Sequence, residues 1–187
     1  MRPVWCMPTA GDAVEIRLFD PQTHDRVRFD CGVGRLNNFL QRSAKKQQKG
    51  DFVRVYVAVA PGQGRVLGYH SMNAYGLAAD DLGALAPRAA PSHGTVPAIY
   101  LSMIAVDRSQ QGRGLGSVLL DHAKRKALGV ANALGAWAIV LDVMEEGGSE
   151  AVHSRLAWYG KHGFIPFPSA PLKMFLPIAT VRATYDG

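Results

Sequence analysis

Hydrophobic residues along this chain occur in short runs typical of strands and, elsewhere, at the spacing typical of amphipathic helices. Seven short runs rich in apolar, β-branched or aromatic residues predict strands at 14–19, 52–60, 66–75, 99–106, 137–143, 164–167 and 173–177. Helical spacing predicts helices at 35–49, 118–131 and 151–162. Residues 76–97 show little pattern apart from a short helix near Asp80, because Pro87, Pro91 and Pro97 interrupt the segment.

The order of these elements predicts an α/β (α+β) fold in a single domain over residues 1–187, with residues 1–12 as a loose lead-in. The turn at 61–64 joins two strands as a hairpin. Later in the chain, a buried strand, a glycine-rich turn, a helix and a second buried strand form a βαβ unit, which requires two parallel strands. We therefore expect a partly parallel sheet flanked by helices.

Composition and charge narrow the class of protein further. Hydrophobic residues make up 48% of the 187 residues and charged residues 19%, which is typical of one globular domain. No apolar run is long enough for a membrane span or a signal peptide. Cys6 and Cys31 form neither a disulfide framework nor a zinc site, so we expect a cytoplasmic protein without a metal. The net charge of +6 hints at an anionic partner.

The most informative stretch is the glycine-rich turn between the buried strand 99–106 and the helix that follows it. The first N–H groups of a helix lack internal partners, and the helix dipole places partial positive charge beside them. Glycines let the backbone approach a phosphate closely, and Arg113 adds a charge. The turn therefore predicts a pyrophosphate site, although its spacing is that of neither a P-loop nor a Rossmann turn. The alternative is a tight turn that binds no ligand.

The pattern Gln111-x-x-Gly114-x-Gly116, after an apolar strand that ends in Ala105-Val106-Asp107, resembles the acetyl-CoA motif of the GNAT N-acetyltransferases. The resemblance implies a GNAT fold, a mixed and mostly antiparallel sheet of six or seven strands that is splayed at its centre, with acetyl-CoA as the acetyl donor. It implies that the main chain of Ile104, Ala105 and Val106 binds the pantetheine arm. It also implies that the turn binds the pyrophosphate of coenzyme A. The residues of this turn are Gln111, Gly112, Arg113, Gly114, Leu115, Gly116 and Ser117.

Further segments resemble one branch of that family, the GNAT toxins of type II toxin–antitoxin pairs. These segments are 29–40, Gly68-Tyr69, Tyr159-x-x-x-Gly163-Phe164 and 174–180. Such toxins acetylate the amino acid on charged tRNA and stop translation. The resemblance thus implies aminoacyl-tRNA as substrate and a ribbon-helix-helix antitoxin as partner, and it leaves open whether the protein forms a homodimer.

The resemblance assigns to Tyr159 the role of protonating the departing thiolate. A phenol suits this role because it is neutral at pH 7 and still holds a transferable proton. The alternative is an aromatic residue that only packs in the core. The base that would deprotonate the acceptor amine stays unassigned, with five candidates by residue type: His70, Glu145, Glu146, His153 and His162.

The predicted helix at 35–49 carries five positive charges and no acid. These residues are Arg35, Arg42, Lys45, Lys46 and Lys49. One-signed charge on one helix attracts phosphates, so we interpret it as a tRNA-binding surface, and a merely solvated face is the alternative. Lys124, Arg125 and Lys126 form a second cluster that could meet the adenosine 3′-phosphate or tRNA, or simply face water.

The chain departs from the toxin branch in two places, and both bear on the acceptor. Ser102-Met103 replaces a basic residue that is common in the central strand, and the segment between Asp142 and Tyr159 is longer by several residues. Two alternatives to a tRNA-acetylating toxin therefore stay open. One is a GNAT enzyme that acts on a small-molecule or protein amine, and the other is a coenzyme A-binding module without catalysis.

Overall fold

The apolar runs form seven strands within residues 14–85 and 94–185, which the computed structural model of the chain describes. The strands are β1 (Glu15–Leu18), β2 (Arg54–Val59), β3 (Val66–Ala78), β4 (Thr95–Val106), β5 (Ala138–Asp142), β6 (Ile165–Pro166) and β7 (Lys173–Pro177). The α-helices are α1 (Gly34–Asn38), α2 (Ala44–Lys49), α3 (Ala79–Leu82), α4 (Leu115–Leu134), α5 (Gly148–Lys161) and α6 (Ile178–Tyr185). A π-helical turn at Phe39–Ser43 joins α1 to α2, and we call the whole segment 34–49 the basic helix.

The strands form one mixed sheet in the order β1-β2-β3-β4-β5-β7-β6. β1 pairs antiparallel with β2, and β7 pairs antiparallel with both β5 and β6. β4 and β5 are parallel, as the βαβ pattern predicts, and their paired residues run from Ala98↔Ala138 to Tyr100↔Val140. Since β4 continues to Val106 beyond this short register, the two strands separate at their carboxyl ends. The expected mixed, splayed sheet is thereby confirmed.

The described chain divides into two compact units. The first unit contains residues 14–69 and 105–119, and the second contains 70–85, 94–104 and 120–185. In the first, the buried ring of Tyr69 packs against Phe29 and Phe39, with ring centroids 5.5 and 5.9 Å away. In the second, two apolar clusters form, one including Leu120, Ile139, Tyr159 and Leu176 and one including Leu77, Val140, Phe167 and Phe175.

Gly68 allows a close approach between strand and helix in the first unit. A Cβ at this position would lie 2.9 Å from Leu119 Cδ1, 3.1 Å from the Ala105 carbonyl oxygen and 3.3 Å from Leu115 Cδ2. Leu115 and Leu119 belong to the first turns of α4. The missing side chain at Gly68 is therefore what lets the start of α4 pack against β3 and the end of β4.

We expect Gly68→Ala to destabilise the protein by about 1–3 kcal/mol, the usual range for overpacking a tight site. Urea unfolding followed by circular dichroism measures the change. Gly129→Ala is the matched control, because Gly129 lies in α4 and, apart from its chain neighbours and the nearby backbone of the helix, no described atom comes within 4 Å of its Cβ position. The control should stabilise the helix by roughly 0.5–1 kcal/mol. Equal effects of the two substitutions would contradict the packing argument.

Two strands extend further into residues 76–97 than the sequence predicts. β3 continues to Ala78 and β4 begins at Thr95, so Pro97 lies inside a strand. Proline is tolerated near the start of a strand, where the missing amide donor is least needed. Its carbonyl still accepts a hydrogen bond from the Trp137 amide at 2.7 Å. Pro87 and Pro91 lie outside the described residues, as do the predicted lead-in at 1–12 and Cys6.

The helices near the carboxyl end also differ from the prediction. The predicted loop at 145–150 is shorter, because α5 already begins at Gly148, and both Gly147 and Gly148 have positive φ. Much of the extra segment between Asp142 and Tyr159 is therefore helical. α6 was not predicted, although its buried Ile178 and Val181 are three residues apart, as on one helix face. Eight residues are too few for that spacing to stand out.

Candidate active site

The glycine-rich turn follows β4 and leads into α4, as predicted. Gly112 and Gly114 have φ of 75° and 84°, a region that favours glycine. Apart from the glycine itself and its two chain neighbours, no described residue has an atom within 4 Å of the position that a Cβ would take at either glycine. The requirement for glycine here is thus conformational, and the backbone of the turn is open to a ligand.

The first turn of α4 contains Leu115, Gly116 and Ser117, and it has no acidic side chain. The Gly114 carbonyl accepts hydrogen bonds from the amides of Ser117 (3.0 Å) and Val118 (3.3 Å), which starts the helix at once. An uncompensated helix N-terminus attracts an anion. Arg113 is exposed, and its guanidinium donates to Gln110 Oε1 at 3.3 Å. The turn therefore fits the pyrophosphate of coenzyme A.

Gln111 has a role that the sequence analysis missed. Its side-chain Nε2 donates to the carbonyls of Cys31 and Val106, each at 3.0 Å. Both side-chain contacts go to backbone within the first unit. The Gln111 side chain thus fixes the shape of the turn.

The loop at 30–32 holds the start of the basic helix by hydrogen bonds. Asp30 Oδ1 accepts from the Gly32 amide (2.9 Å) and from Asn37 Nδ2 (2.7 Å), and these two bonds lower the pKa of Asp30. Asn37 Oδ1 accepts in turn from the Cys31 amide at 2.9 Å. The Arg108 amide donates to the Asp30 carbonyl at 2.8 Å. The motif residues at 30–37 are therefore connected to the segment that precedes the glycine turn.

Asp107, directly after β4, is the most buried acid of this network, with 3% of its surface exposed. It accepts from the Ser109 amide (3.0 Å), the Ser109 hydroxyl (2.6 Å) and the Asp30 amide (3.1 Å). Burial alone would raise the pKa of Asp107, but these hydrogen bonds and the nearby Arg65 bring it below its usual value. The carboxylate form is therefore the one that the fold stabilises.

A depressed pKa in the folded state means that Asp107 stabilises the protein above its unfolded pKa, and that this stabilisation is lost as pH falls through its folded pKa. Asp107→Asn should therefore cost about 1–3 kcal/mol at pH 7, and the difference from the wild type should shrink in acid. Urea unfolding at several pH values measures this. Asp51→Asn, at an exposed acid paired with Arg54, should cost under about 0.5 kcal/mol. A pH-independent difference at Asp107 would contradict the charge argument.

The residues expected to bind the pantetheine arm lie in the last part of β4. Ile104 and Val106 are partly exposed and Ala105 is buried. All three come after Tyr100, where the pairing with β5 ends. This part of the strand is not committed to β5, as a strand that binds a ligand through its main chain requires.

The five cations of the basic helix are all exposed: Arg35, Arg42, Lys45, Lys46 and Lys49. Its apolar side is buried through Leu36, Phe39, Leu40 and Ala44. The Tyr69 hydroxyl donates to the Leu36 carbonyl at 2.9 Å and fixes the helix to β3 within the first unit. The buried side thus anchors the helix, and the five cations face solvent.

Two of the three cations in the second basic cluster, Lys124 and Arg125, contact other residues of the protein. Lys124 Nζ donates to the His162 carbonyl at 2.9 Å, and burial lowers its pKa. Arg125 donates to Asp121 at 2.9 Å and lies 4.1 Å from the centre of the Tyr185 ring. Lys124 and Arg125 are therefore occupied in the second unit, which favours a structural role for both.

Tyr159 lies near the end of α5 and is 9% exposed. Its ring meets Trp158 and Phe164 edge-on, with centroids 4.9 and 5.7 Å away. Burial raises the pKa of Tyr159 to about 12, and Arg155 opposes the shift. The phenol is therefore protonated at neutral pH, as a proton donor must be.

Five candidate bases lie in different surroundings in the second unit. His70 is buried, its Nε2 lies 2.8 Å from His122 Nδ1, and burial lowers its pKa to about 3. His162 is partly buried, with its pKa lowered by burial and then by Lys124. Glu145, Glu146 and His153 are exposed. His70 thus stays neutral at pH 7, and burial keeps it from an incoming amine.

Two further groups of the second unit bear on the acceptor. The Ser102 hydroxyl, where the toxin branch commonly has a basic residue, lies 2.8 Å from the Ser71 hydroxyl. Arg155 donates to the carbonyls of Met144 (2.8 Å) and Glu146 (2.6 Å) and so fixes the segment before α5. The longer segment is thus an ordered part of the unit.

A polar cluster at the carboxyl end of β5 was missed by the sequence analysis. The Tyr100 hydroxyl donates to Asp142 Oδ2 at 2.5 Å, and Lys173 Nζ donates to the Tyr75 hydroxyl at 2.7 Å. The rings of Tyr75 and Tyr100 stack at 5.4 Å, which joins the two pairs. Four strands supply these residues, so no local sequence signal could have grouped them.

Within the part of the chain that the structure describes, no helix combines the length and apolarity needed to cross a bilayer. The same residues include no group of three or more His, Cys, Asp or Glu side chains that could hold a metal ion.

The chain is similar in sequence and in structure to known acetyltransferases. The profile of the family described as "Acetyltransferase (GNAT) domain" matches residues 51–166. The chain is 39% identical over 168 residues to a probable toxin TacT of Sinorhizobium fredii, covering 90% of this chain and 93% of that protein. It is 30% identical to a tRNA-acetylating toxin of Mycobacterium tuberculosis, in a match that covers 85% of this chain and 89% of that protein. The crystal structure of AtaTR bound with acetyl-CoA is similar with a TM-score of 0.74 and 25% identity, covering 93% of this chain and 99% of that one.

Proposed function

The chain belongs to the GNAT family of acetyltransferases, and from that premise we propose that it acetylates the amino acid carried by charged tRNA. Family membership makes it an acetyltransferase, and its acetyl donor is acetyl-CoA. Acetylation removes the nucleophilic amine with which a charged tRNA would accept the growing peptide. The protein would therefore block translation and act as a toxin.

The charge of the basic helix is the main observation that favours charged tRNA as the acceptor. Five exposed cations occur on one helical segment without an acid, and such a surface attracts a phosphate backbone. A small amine, which is itself cationic, would be repelled by it. The names of two relatives support the same acceptor, since one is a probable toxin and the other a tRNA-acetylating toxin.

In the proposed reaction, the amino group of the aminoacyl end forms a bond to the acetyl carbon while the carbon–sulfur bond of the thioester breaks. Tyr159 gives its phenolic proton to the departing thiolate. The amine loses one proton before or during its attack, to a base that stays unassigned. The main chain of Ile104, Ala105 and Val106 would hold the pantetheine arm, and the turn at 111–117 the pyrophosphate. Orienting two bound substrates contributes much of the rate enhancement.

The remaining expectations follow from this function. We propose that residues 1–187 form one GNAT domain and that the protein works in the cytoplasm, where charged tRNA meets the ribosome. A toxin of this kind needs an inhibitor, and a ribbon-helix-helix antitoxin that covers the basic helix or the acetyl-transfer site would supply it. Copurification from cells that express the neighbouring gene tests this partner.

Transfer of radiolabelled acetyl groups from acetyl-CoA tests the acceptor. Purified protein should label charged tRNA, and it should not label uncharged tRNA or a panel of polyamines. Mass spectrometry of the released aminoacyl adenosine would locate the acetyl group on the amino nitrogen. Labelling of polyamines alone would support a GNAT enzyme that acetylates small-molecule amines. Binding of coenzyme A without transfer to any amine would support a coenzyme A-binding module without catalysis.

A further inference from the structure

Phe52 stands out because it is a large aromatic residue that the fold leaves in solvent. Its exposed fraction is 74%, compared with 8% for the next residue, Val53. A ring placed in this way contributes little to the core, where an aromatic side chain would give its greatest stabilisation. Its position leaves the ring available to a partner outside the described fold.

The backbone around Phe52 is rigid. The basic helix ends in a Schellman motif, in which the Phe52 amide donates to the Gln47 carbonyl (3.0 Å) and the Asp51 amide to the Gln48 carbonyl (3.1 Å). Asp51 takes the left-handed conformation that this motif requires, with φ of 61°. The ring lies over Gly50, where a Cβ would be 2.8 Å from a ring carbon. Phe52 is thus held in place before any ligand arrives.

Three cations line the same depression as the ring. A shallow depression of about 920 Å³ is lined by Arg42, Ser43, Lys46, Gln47, Lys49, Gly50 and Phe52. Arg42, Lys46 and Lys49 are spaced four and three residues apart, which places them on one side of the helix. The lining contains three cations and no acid. Its only aromatic residue is Phe52.

We propose that Phe52 is a stacking platform for an unpaired base of the RNA substrate, with Arg42, Lys46 and Lys49 binding the adjoining phosphates. A positively charged groove beside an exposed aromatic ring is the combination by which proteins hold single-stranded nucleic acid. The inference rests on the proposed function and adds to it a residue that binds the base, next to cations that bind the backbone. Charge complementarity selects RNA over an uncharged apolar partner.

The test measures the affinity of fluorescently labelled tRNA by anisotropy for four variants. Phe52→Ala should weaken binding about 5- to 100-fold, the range for losing one base–aromatic stack, and it should leave the slope of log K against log salt unchanged. Phe52→Leu should be as weak as Phe52→Ala, because it keeps an apolar side chain and loses the π face. Phe52→Trp should bind at least as tightly as the wild type. Leu134→Ala, at an 84% exposed apolar residue of α4, is the matched control and should change nothing.

Several outcomes would overturn the inference. Wild-type affinity in Phe52→Ala would do so, and so would rescue by Leu, which would indicate hydrophobic docking. Phe52-dependent sedimentation with phosphatidylserine vesicles, combined with unchanged tRNA binding, would assign the ring to a membrane. Thermal melting of each variant controls for folding.

The outcomes also separate this inference from the proposed function. If the wild type acetylates charged tRNA and Phe52→Ala binds as tightly, only the stacking role fails. If Phe52→Ala loses affinity for RNA while the wild type labels no charged tRNA, the acceptor assignment fails and the stacking role stands. Crosslinking to 5-iodouridine-substituted tRNA, read by mass spectrometry, should mark the peptide that contains Phe52.

Discussion

Replacing Tyr159 with Phe should lower kcat for acetyl transfer by about 10²- to 10⁴-fold, the usual contribution of a positioned proton donor. The substitution removes one hydroxyl and keeps the ring that meets Trp158 and Phe164. The apolar packing of the second unit should therefore survive. Since the raised pKa of Tyr159, about 12, keeps its proton in place at neutral pH, loss of that proton is the chemical change under test.

Steady-state kinetics with saturating acetyl-CoA measure this effect, and isothermal titration should give an affinity for coenzyme A within about twofold of the wild type. Tyr185→Phe is the matched control, because the Tyr185 hydroxyl donates to Asp121 at 2.6 Å and is assigned no role in transfer. Activity of Tyr159→Phe close to that of the wild type would show that another group or water protonates the thiolate. Tyr159 would then be a packing residue.

The sequence is most informative where one local pattern has one physical meaning. The runs of apolar, β-branched and aromatic residues predict all seven strands, and the succession of buried strand, glycine turn, helix and second buried strand predicts the parallel pair β4 and β5. Gly112 and Gly114 need no tertiary information either, because their positive φ belongs to the turn itself. Each of these features depends on residues close together in the chain.

Other features depend on which distant residues meet. The Gln111 side chain contacts the Cys31 carbonyl 80 residues earlier, so its structural role cannot be read from the glycine motif. The Tyr100–Asp142 and Tyr75–Lys173 pairs join separate strands in the same way. In the sequence, Lys124 and Arg125 could be phosphate ligands or solvated cations. In the fold, Lys124 donates to the distant His162 carbonyl, and Arg125 lies over the distant Tyr185 ring besides its local i,i+4 pair with Asp121. A charge run thus identifies a binding surface only where the fold leaves all of its cations exposed, which Lys124 is not.

The basic helix meets that condition, and charge reversal there should remove tRNA binding. We expect Lys45→Glu, Lys46→Glu and Lys49→Glu together to weaken tRNA binding about 10²- to 10³-fold, roughly 1 to 1.5 kcal/mol for each lost phosphate contact. The three lysines are exposed, while the helix is held through buried Leu36, Phe39, Leu40 and Ala44. The fold and the affinity for coenzyme A should therefore stay unchanged.

Salt dependence distinguishes direct phosphate contact from a general effect of net charge. If the three lysines bind phosphates, the slope of log K against log salt should fall by about one for each lysine removed. A charge-matched control reverses three exposed arginines outside the basic helix, Arg17, Arg28 and Arg182, and it changes the net charge by the same amount. Equal losses in the two variants would mean that overall charge steers the tRNA. A parallel loss of coenzyme A affinity in the lysine variant would mean that the helix supports the acetyl-CoA site, and that the two anions do not bind at separate places.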